Sequence, residues 1–597
     1  MITRWRRMAG VLLSTGFEAA PLTAWACLVM SVVAAAASVT YSIGFRVMID
    51  GAIANDSTQI ALGAALVAGL FTLSWLLAIV SGTEGSLLTD RANLALGVRI
   101  ARLSATLPTL EHLERPELLA RLEHLTNTRR TLAGAPRQLI SLFGQAVRAI
   151  GIVVLLATIY LPVLVVPMLA LAPALANRRA GRLQDRADHE LAEDRRLLGD
   201  LFSLATSADT ARELRTYGVS DAVASRHAAL AERVRRRSVH AALRSAAWEA
   251  LGWLVFAAGL VAAIVVLVLE VVNSNVSPGD VVMAVTLLRR AQTQISRSTD
   301  TAGSFNASIA AARQLLWLED HERELRVPRA CRGAVPARLR SGIAIDEMSF
   351  GYPGHDGKPA VGPLSLDLPA GRTIAFVGEN GAGKTTLVKL LCGMYRPDAG
   401  RILVDGVDLR ALEPAVWRER VSGAFQDFVR FHFMLSESVG VGDLPRLDDH
   451  EAIRGALARA GSGGLERELP DGLATHIGTR FTGGRELSGG QWQRLALARG
   501  LMRVAPLLVV LDEPTASLDA PTESALFARY ADAARENAAA HGTITLLVSH
   551  RFSTVRAADT IVVLEHGRAI ESGSHDELIA RGGTYAELFE LQARAYA

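Results

Sequence analysis

Glycine, lysine and threonine recur at one fixed spacing in Gly378-Glu379-Asn380-Gly381-Ala382-Gly383-Lys384-Thr385-Thr386. An apolar run, Thr373 to Val377, leads in, and a helix-forming run from Leu387 leads out. This is the Gly-x4-Gly-Lys-Thr pattern of a phosphate-binding loop. Glycines let the backbone wrap closely and aim its N–H groups inward, and the helix N-terminus adds partial positive charge at the same point. Lys384 is expected to reach the β- and γ-phosphates of a nucleotide, and Thr385 to complete a Mg²⁺ shell. The chain carries 63 basic side chains, and lysine occurs only at 358, 384 and 389. A sequence that otherwise writes arginine keeps lysine at the position where the motif needs it.

Five further groups follow in order. Gln426 is a polar residue inside the apolar patch Ala424-Phe-Gln-Asp-Phe428. Leu487-Ser488-Gly489-Gly490-Gln491 offers a hydroxyl and flexible N–H donors before a helix-like run, a second anion site. Leu507 to Leu511 reads as a buried parallel strand and ends in Asp512-Glu513. Two carboxylates at such a strand tip suit a metal–water contact and a water-activating base. Asp519 follows in Ser517-Leu-Asp519, and His550 stands at the tip of the apolar run Thr545 to Ser549. Upstream, Tyr352 is placed to stack on a nucleotide base. Taken singly, a histidine, a glutamine or a tyrosine at such a place is more often structural.

The elements that must position these groups divide the chain. At 597 residues it exceeds one hydrophobic core. Half of its residues are hydrophobic and its mean hydropathy is +0.25, yet a fifth are charged. The apolar residues concentrate in the first half, which reads as membrane-embedded. A spanning helix needs about 20 apolar residues. Spans are expected at about 19–45, 57–83, 138–160, 161–177, 248–269 and 278–298. Tyr160-Leu-Pro162 splits the third from the fourth, and Asp280, Arg289 and Arg290 make the sixth the weakest by hydropathy. Arg289 and Arg290 are candidates to face a polar pathway, against the plainer reading that they snorkel. The arginine-rich stretches between spans two and three and between four and five place those connections in the cytoplasm. An even span count then returns the chain to the cytoplasm, where a nucleotide is available. The expected organisation is a membrane domain at 1–320, a linker at 321–341 and a nucleotide-binding domain at 342–597. Net charge of +3 gives no basis for a nucleic-acid partner, and Cys27, Cys331 and Cys392 show no paired spacing and read as free thiols.

In this order and on this layout the motifs resemble the ATP-binding-cassette (ABC) transporter family, in its exporter-type half-transporter form. The resemblance covers essentially the whole chain. It implies an all-α polytopic membrane domain of six transmembrane helices, fused to an α/β P-loop NTPase cassette. It further implies ATP and Mg²⁺ as ligands, and a role for each matching residue. Tyr352 matches the base-stacking aromatic. Gly378, Glu379, Asn380, Gly381, Ala382, Gly383, Lys384, Thr385 and Thr386 match Walker A. Gln426 matches the Q-loop residue that senses metal and attacking water. Ser488, Gly489, Gly490 and Gln491 match the signature. Asp512 matches the Walker B aspartate, Glu513 the catalytic base, Asp519 the D-loop and His550 the switch histidine. Thr385, Gln426 and Asp512 would be the residues toward the metal.

In that family the signature of one subunit closes over the ATP of the other, so the resemblance implies a second half-transporter, most simply an identical one. It places the protein in the inner (plasma) membrane with N-terminus and cassette cytoplasmic. It recasts Glu114–Ala120 and Asp209–Arg215 as coupling helices. The expected activity is ATP-driven export of a peptide, lipid or amphipathic small molecule by alternating access. An importer on the same fold, or a membrane-bound sensor that moves nothing, are the alternatives. The segment Ile477 to Glu486 departs from the form common in multidrug and lipid exporters and looks more like bacterial exporters of modified peptides such as lanthipeptides. With no room for an N-terminal peptidase domain, no cargo cleavage is expected.

Overall fold

The computed structural model describes residues 2–596 apart from 19, 170, 274, 327–332, 353–358, 480, 514–519 and 550. The chain divides into two compact units. One holds Met1–Arg102 with Glu123–Trp317, the other Leu103–Leu122 with Leu318–Ala597. The boundary thus differs from a single cut near 320, because residues 103–122 belong with the cassette.

The first unit is helical. Helices Pro21–Ile53, Ser57–Thr106, Pro116–Ile159 and Ser220–Val272 are long and apolar enough to cross a membrane. The apolar runs at 57–83 and 248–269 are parts of helices of 50 and 53 residues, so the expected spans continue as helix well past their apolar stretch. The absence of proline and the many Leu, Ala and Arg residues favour that continuation. The third span ends at Ile159 with Tyr160 extended, after which a short 3₁₀ turn containing Pro162, Leu161–Leu164, restarts the chain. Helices Val165–Leu169 and Leu171–Glu190 follow, and Pro278–Leu325 is continuous through Arg289 and Arg290. Neither of these last two regions meets the length-and-apolarity test that the other four meet.

Asp280 is buried at the start of Pro278–Leu325 and lies 3.0 Å from Arg46. That pairing explains how a charge sits in an otherwise apolar stretch. Phe256, Leu267, Met283, Leu287 and Leu288 form a core with Ile152 and Leu156, while Leu254, Val261 and Val272 point outward. Outward apolar side chains on long helices are what a lipid solvent rewards. Arg4, Arg6 and Arg7 lie on a separate helix ahead of the first span, Ile2–Phe17.

Among the described residues of the second unit, ten strands form two sheets. Strands β1 (Gly342–Phe350), β2 (Val361–Pro369), β4 (Ala399–Val404) and β5 (Val407–Asp408) make an antiparallel sheet ordered β2-β1-β4-β5. Strands β3 (Thr373–Val377), β6 (Val421–Ala424), β7 (Leu508–Asp512), β8 (Ile544–Val548), β9 (Thr560–Glu565) and β10 (Arg568–Gly573) make the second, ordered β10-β9-β3-β8-β7-β6. It is parallel from β9 to β6. Side chains alternate across it. Ile374, Phe376, Val510 and Leu546 enter the core on one face, and Ala375, Val377, Leu511 and Leu547 the core on the other. All five residues of β8 are buried, as a strand covered on both faces must be.

The expected Glu114–Ala120 element spans the end of a short helix, Glu111–Glu114, and the first residues of Pro116–Ala133. The helix Glu111–Glu114 stops at Arg115, which is extended because Pro116 disfavours a helical residue before it. Helix then resumes as Pro116–Ala133. The second expected element, Asp209–Arg215, lies within helix Ala208–Thr216, capped by Ser207.

Candidate functional site

The candidate groups converge because parallel strands end on the same side. The phosphate loop follows β3, Asp512-Glu513 close β7, and Gln426 follows β6. A crevice outside the carboxyl ends of parallel strands is where α/β sheets bind ligands.

The loop Gly378–Gly383 runs into helix Lys384–Leu391. Gly378, Gly381 and Gly383 have φ of 144°, 85° and 97°, conformations L-residues avoid. A side chain at Gly378 would place its Cβ 2.1 Å from the Leu564 carbonyl oxygen. Glu379, Asn380 and Gly381 are exposed, and Ala382 is buried. Lys384 Nζ donates to the carbonyls of Gly378 (2.7 Å) and Glu379 (2.9 Å), so the ammonium lies across its own loop. Burial lowers its pKa, and the nearby Glu513 and Asp512 carboxylates act against that.

Thr385 Oγ1 donates to Asp512 Oδ2 at 3.5 Å. Asp512 is 2% exposed, and its other carboxylate oxygen is buried with no partner among the described residues. Burial, followed by repulsion from Glu513, pushes its pKa up to about 6. A hydroxyl beside a buried carboxylate with an open oxygen is an oxygen donor set that fits Mg²⁺.

Glu513 has φ of 47°, a left-handed conformation that costs a non-glycine residue and marks functional positions. Its Oε2 accepts from Gln426 Nε2 (3.1 Å), and its carbonyl accepts from Gln493 Nε2 (3.2 Å). Gln493, which the sequence offers only as a polar residue in a helix, therefore fixes the backbone at the strained position. Gln426 is exposed, and Tyr352 is half-buried with its hydroxyl 3.3 Å from Thr386 Oγ1.

The signature lies elsewhere in its contacts. Ser488 caps helix Gly489–Gly500, with its hydroxyl accepting from Gln491 N and its own N–H donating to Gln491 Oε1. Gln491 Nε2 donates to Glu468. Ser488 and Gly489 are exposed and Gly490 is half-buried, so this helix N-terminus faces outward. Asp519 and His550 lie outside the described residues.

A family model described as ABC transporter matches residues 361–516. The chain is similar to the ATP-dependent lipid A-core flippase of Thiobacillus denitrificans, 30% identical over 562 residues, which is 92% of each chain. It is 32% identical over 430 residues to the protein of that name from Chromohalobacter salexigens, across 72% of this chain and 70% of the relative. Among solved structures, a bacterial Atm1-family ABC exporter with ATP bound superposes with a TM-score of 0.75 at 24% identity, over 96% of this chain and 98% of that one.

Proposed function

The chain belongs to the ABC transporter family as an exporter-type half-transporter that couples ATP hydrolysis to transport, and on that premise we propose an anionic amphiphile as its cargo. The observation that carries this lies in the membrane unit. Arg148, on helix Ala135–Ile159, donates to Ser38 Oγ (3.1 Å) and Gln294 Oε1 (3.2 Å), both neutral. Gln145, Ser298 and Thr301 extend the same polar set. On helix Pro278–Leu325, Arg290 stacks over Tyr41 at 3.8 Å, and its Nε is buried without an acceptor among the described residues. Arg289, its neighbour, is exposed.

A guanidinium at mid-span costs roughly 2.5–3.5 kcal/mol to insert. Two of them served only by neutral partners fit a phosphate or carboxylate headgroup. The lipid cargo in the names of both relatives agrees in class. A modified-peptide cargo draws on the segment before the signature alone.

Half-transporters work as dimers in a bilayer, and we take the dimer to be of identical chains, because a signature that faces outward needs a second cassette to meet. The arginine-rich connections support cassettes on the cytoplasmic side of the inner membrane. Thr385, Asp512 and Gln426 would hold Mg²⁺, which when bound neutralises charge on the β- and γ-oxygens of ATP. Lys384 and the loop N–H groups bind the phosphates, Tyr352 stacks on the base, and Glu513 orients the attacking water and accepts its proton. Gln426 holds the Glu513 carboxylate, and His550 and Asp519 are assigned to the γ-phosphate side and the dimer seam.

The test is ATPase of the purified protein in lipid against amphiphiles that share a tail and differ in headgroup charge. Anionic headgroups should stimulate, zwitterionic ones much less, and Arg148→Gln should remove the difference. Equal stimulation by both classes, or an undiminished difference in Arg148→Gln, contradicts the cargo assignment.

A further inference from the structure

The P-loop helix Lys384–Leu391 has its phosphate end at Lys384, and its other end meets residues 103–122, which belong to the same compact unit. Leu110 N–H donates to the Met394 carbonyl (3.1 Å), and Arg418 Nη1 donates to the Pro108 carbonyl (3.2 Å). Between these backbone ties sits a cluster of four side chains. Lys389 Nζ is 3.9 Å from Glu114 Oε1, and 5.8 and 5.9 Å from the ring centroids of Tyr352 and Tyr395. The two tyrosine rings meet edge to face at 5.6 Å. Tyr395 is 2% exposed, and its hydroxyl is buried beside the Glu114 carboxylate, short of a well-formed hydrogen bond. The phenol pKa is raised, by burial first and by the Glu114 carboxylate next.

Two features of this cluster stand unexplained by folding alone. A buried hydroxyl needs an acceptor, and the Glu114 carboxylate is placed to serve it. The Lys389–Glu114 pair, at 3.9 Å, is longer than a hydrogen bond. Glu114 is therefore shared between two partners and fully committed to neither. Lysine suits such a place. Its compact ammonium turns freely between a ring face and a carboxylate, whereas an arginine fork would lock onto Glu114 in a bidentate pair. Lys389 is one of three lysines among 63 basic side chains.

We propose that Glu114 is a positioning residue, held between the Lys389 ammonium and the Tyr395 hydroxyl, through which base stacking on Tyr352 sets how tightly residues 103–122 are held to the P-loop helix. A base on the Tyr352 ring competes with the ammonium for that face. Lys389 then turns fully to Glu114, and the segment is drawn onto the helix. The link reports the base, since the phosphates are bound at the helix's opposite end. The inference rests on the base-stacking role given to Tyr352 above.

Hydrogen exchange of the full chain in lipid tests it, in a Glu513→Gln background so that ATP persists. ATP should slow exchange in both 378–391 and 103–122, and inorganic tripolyphosphate, which lacks a base, should slow only 378–391. In Lys389→Gln and in Glu114→Gln, ATP should still protect 378–391, while protection of 103–122 falls by about three-fold, the scale of a half-exposed ion pair. The exchanged pair Lys389→Glu with Glu114→Lys should restore it, which a merely structural role would not. Protection of 103–122 by tripolyphosphate equal to that by ATP, or unchanged protection in both single variants, overturns the proposal. In Tyr352→Ala, loss of ATP protection over 103–122 alone supports the link. Unaltered protection everywhere removes the stacking role itself and the link with it.

Discussion

Glu513 combines three constraints on one residue: a left-handed backbone, a carboxylate held by Gln426 and a carbonyl held by Gln493. Its orientation is thus set before any water arrives. Glu513→Gln keeps the shape and removes the base, so ATP binding should persist while turnover falls at least about 100-fold, the usual share of a general base. Retained nucleotide affinity beside wild-type turnover would remove Glu513 from that role. Gly378 makes a second residue-scale case. Gly378→Ala combines a φ of 144° with a Cβ 2.1 Å from Leu564 O, so it should lower cassette stability by ~1–3 kcal/mol, read as a fall in melting temperature. A variant as stable as wild type would show that the loop can rearrange at no cost. The residue types at this site were legible in the sequence because phosphate chemistry leaves few alternatives at Gly378 to Thr385. Gln493 was not legible, since its partner is a backbone carbonyl set in place only by the turn after β7.

Helix ends decide the element scale. Pro116 announced its break, because a residue before proline avoids the helical region, and Pro162 lies in the 3₁₀ turn that follows the end of the third span. The expected Glu114–Ala120 element is interrupted at Arg115, between Glu111–Glu114 and Pro116–Ala133. Glu111–Glu114 ends ahead of the proline, and the motif-based expectation began the helix at Glu114. Within that short helix His112 is buried, with Nδ1 against the Thr109 carbonyl at 3.0 Å. Burial, the largest cause, lowers its pKa, and the nearby His321 lowers it further. The sign follows from linkage. A histidine depressed in the folded state is kept neutral there, so its contribution is present above the unfolded value near 6.5 and is lost as pH falls through the folded one. Residues 103–122 should therefore exchange faster, after correction for intrinsic rates, as pH falls below about 6.5, and His112→Leu should flatten that dependence. A slope unchanged in His112→Leu would assign the effect to another group.

At the scale of the molecule, the sheet order β10-β9-β3-β8-β7-β6 brings motifs more than a hundred residues apart to one edge. Their order along the chain was readable, but their meeting is a property of strand order, which no local spacing encodes. The membrane half was readable by apolar run length for four helices. It was less so for the regions carrying Pro162 or Asp280, where a proline turn and the Arg46–Asp280 ion pair replace hydropathy as the determinant. One cassette per chain sets the next expectation. On the proposed assignments, chains with Lys384→Ala should lose their own phosphate site, and chains with Ser488→Arg should spoil the site they would complete for an identical partner. Each alone should be inactive, and an equal mixture assembled together should regain about a quarter of wild-type ATPase, because half of the dimers then hold one intact site of two. No regain on mixing would contradict shared sites between identical chains.

The most direct measurement is movement of a labelled anionic amphiphile between the leaflets of vesicles that contain the purified protein, followed with ATP and Mg²⁺ for wild type, Glu513→Gln and Arg148→Gln. The account predicts ATP-dependent movement in wild type, none above background in Glu513→Gln, and strongly reduced movement in Arg148→Gln with the basal ATPase retained. Movement that persists in Glu513→Gln at the wild-type rate would contradict an ATP-driven exporter of such a molecule.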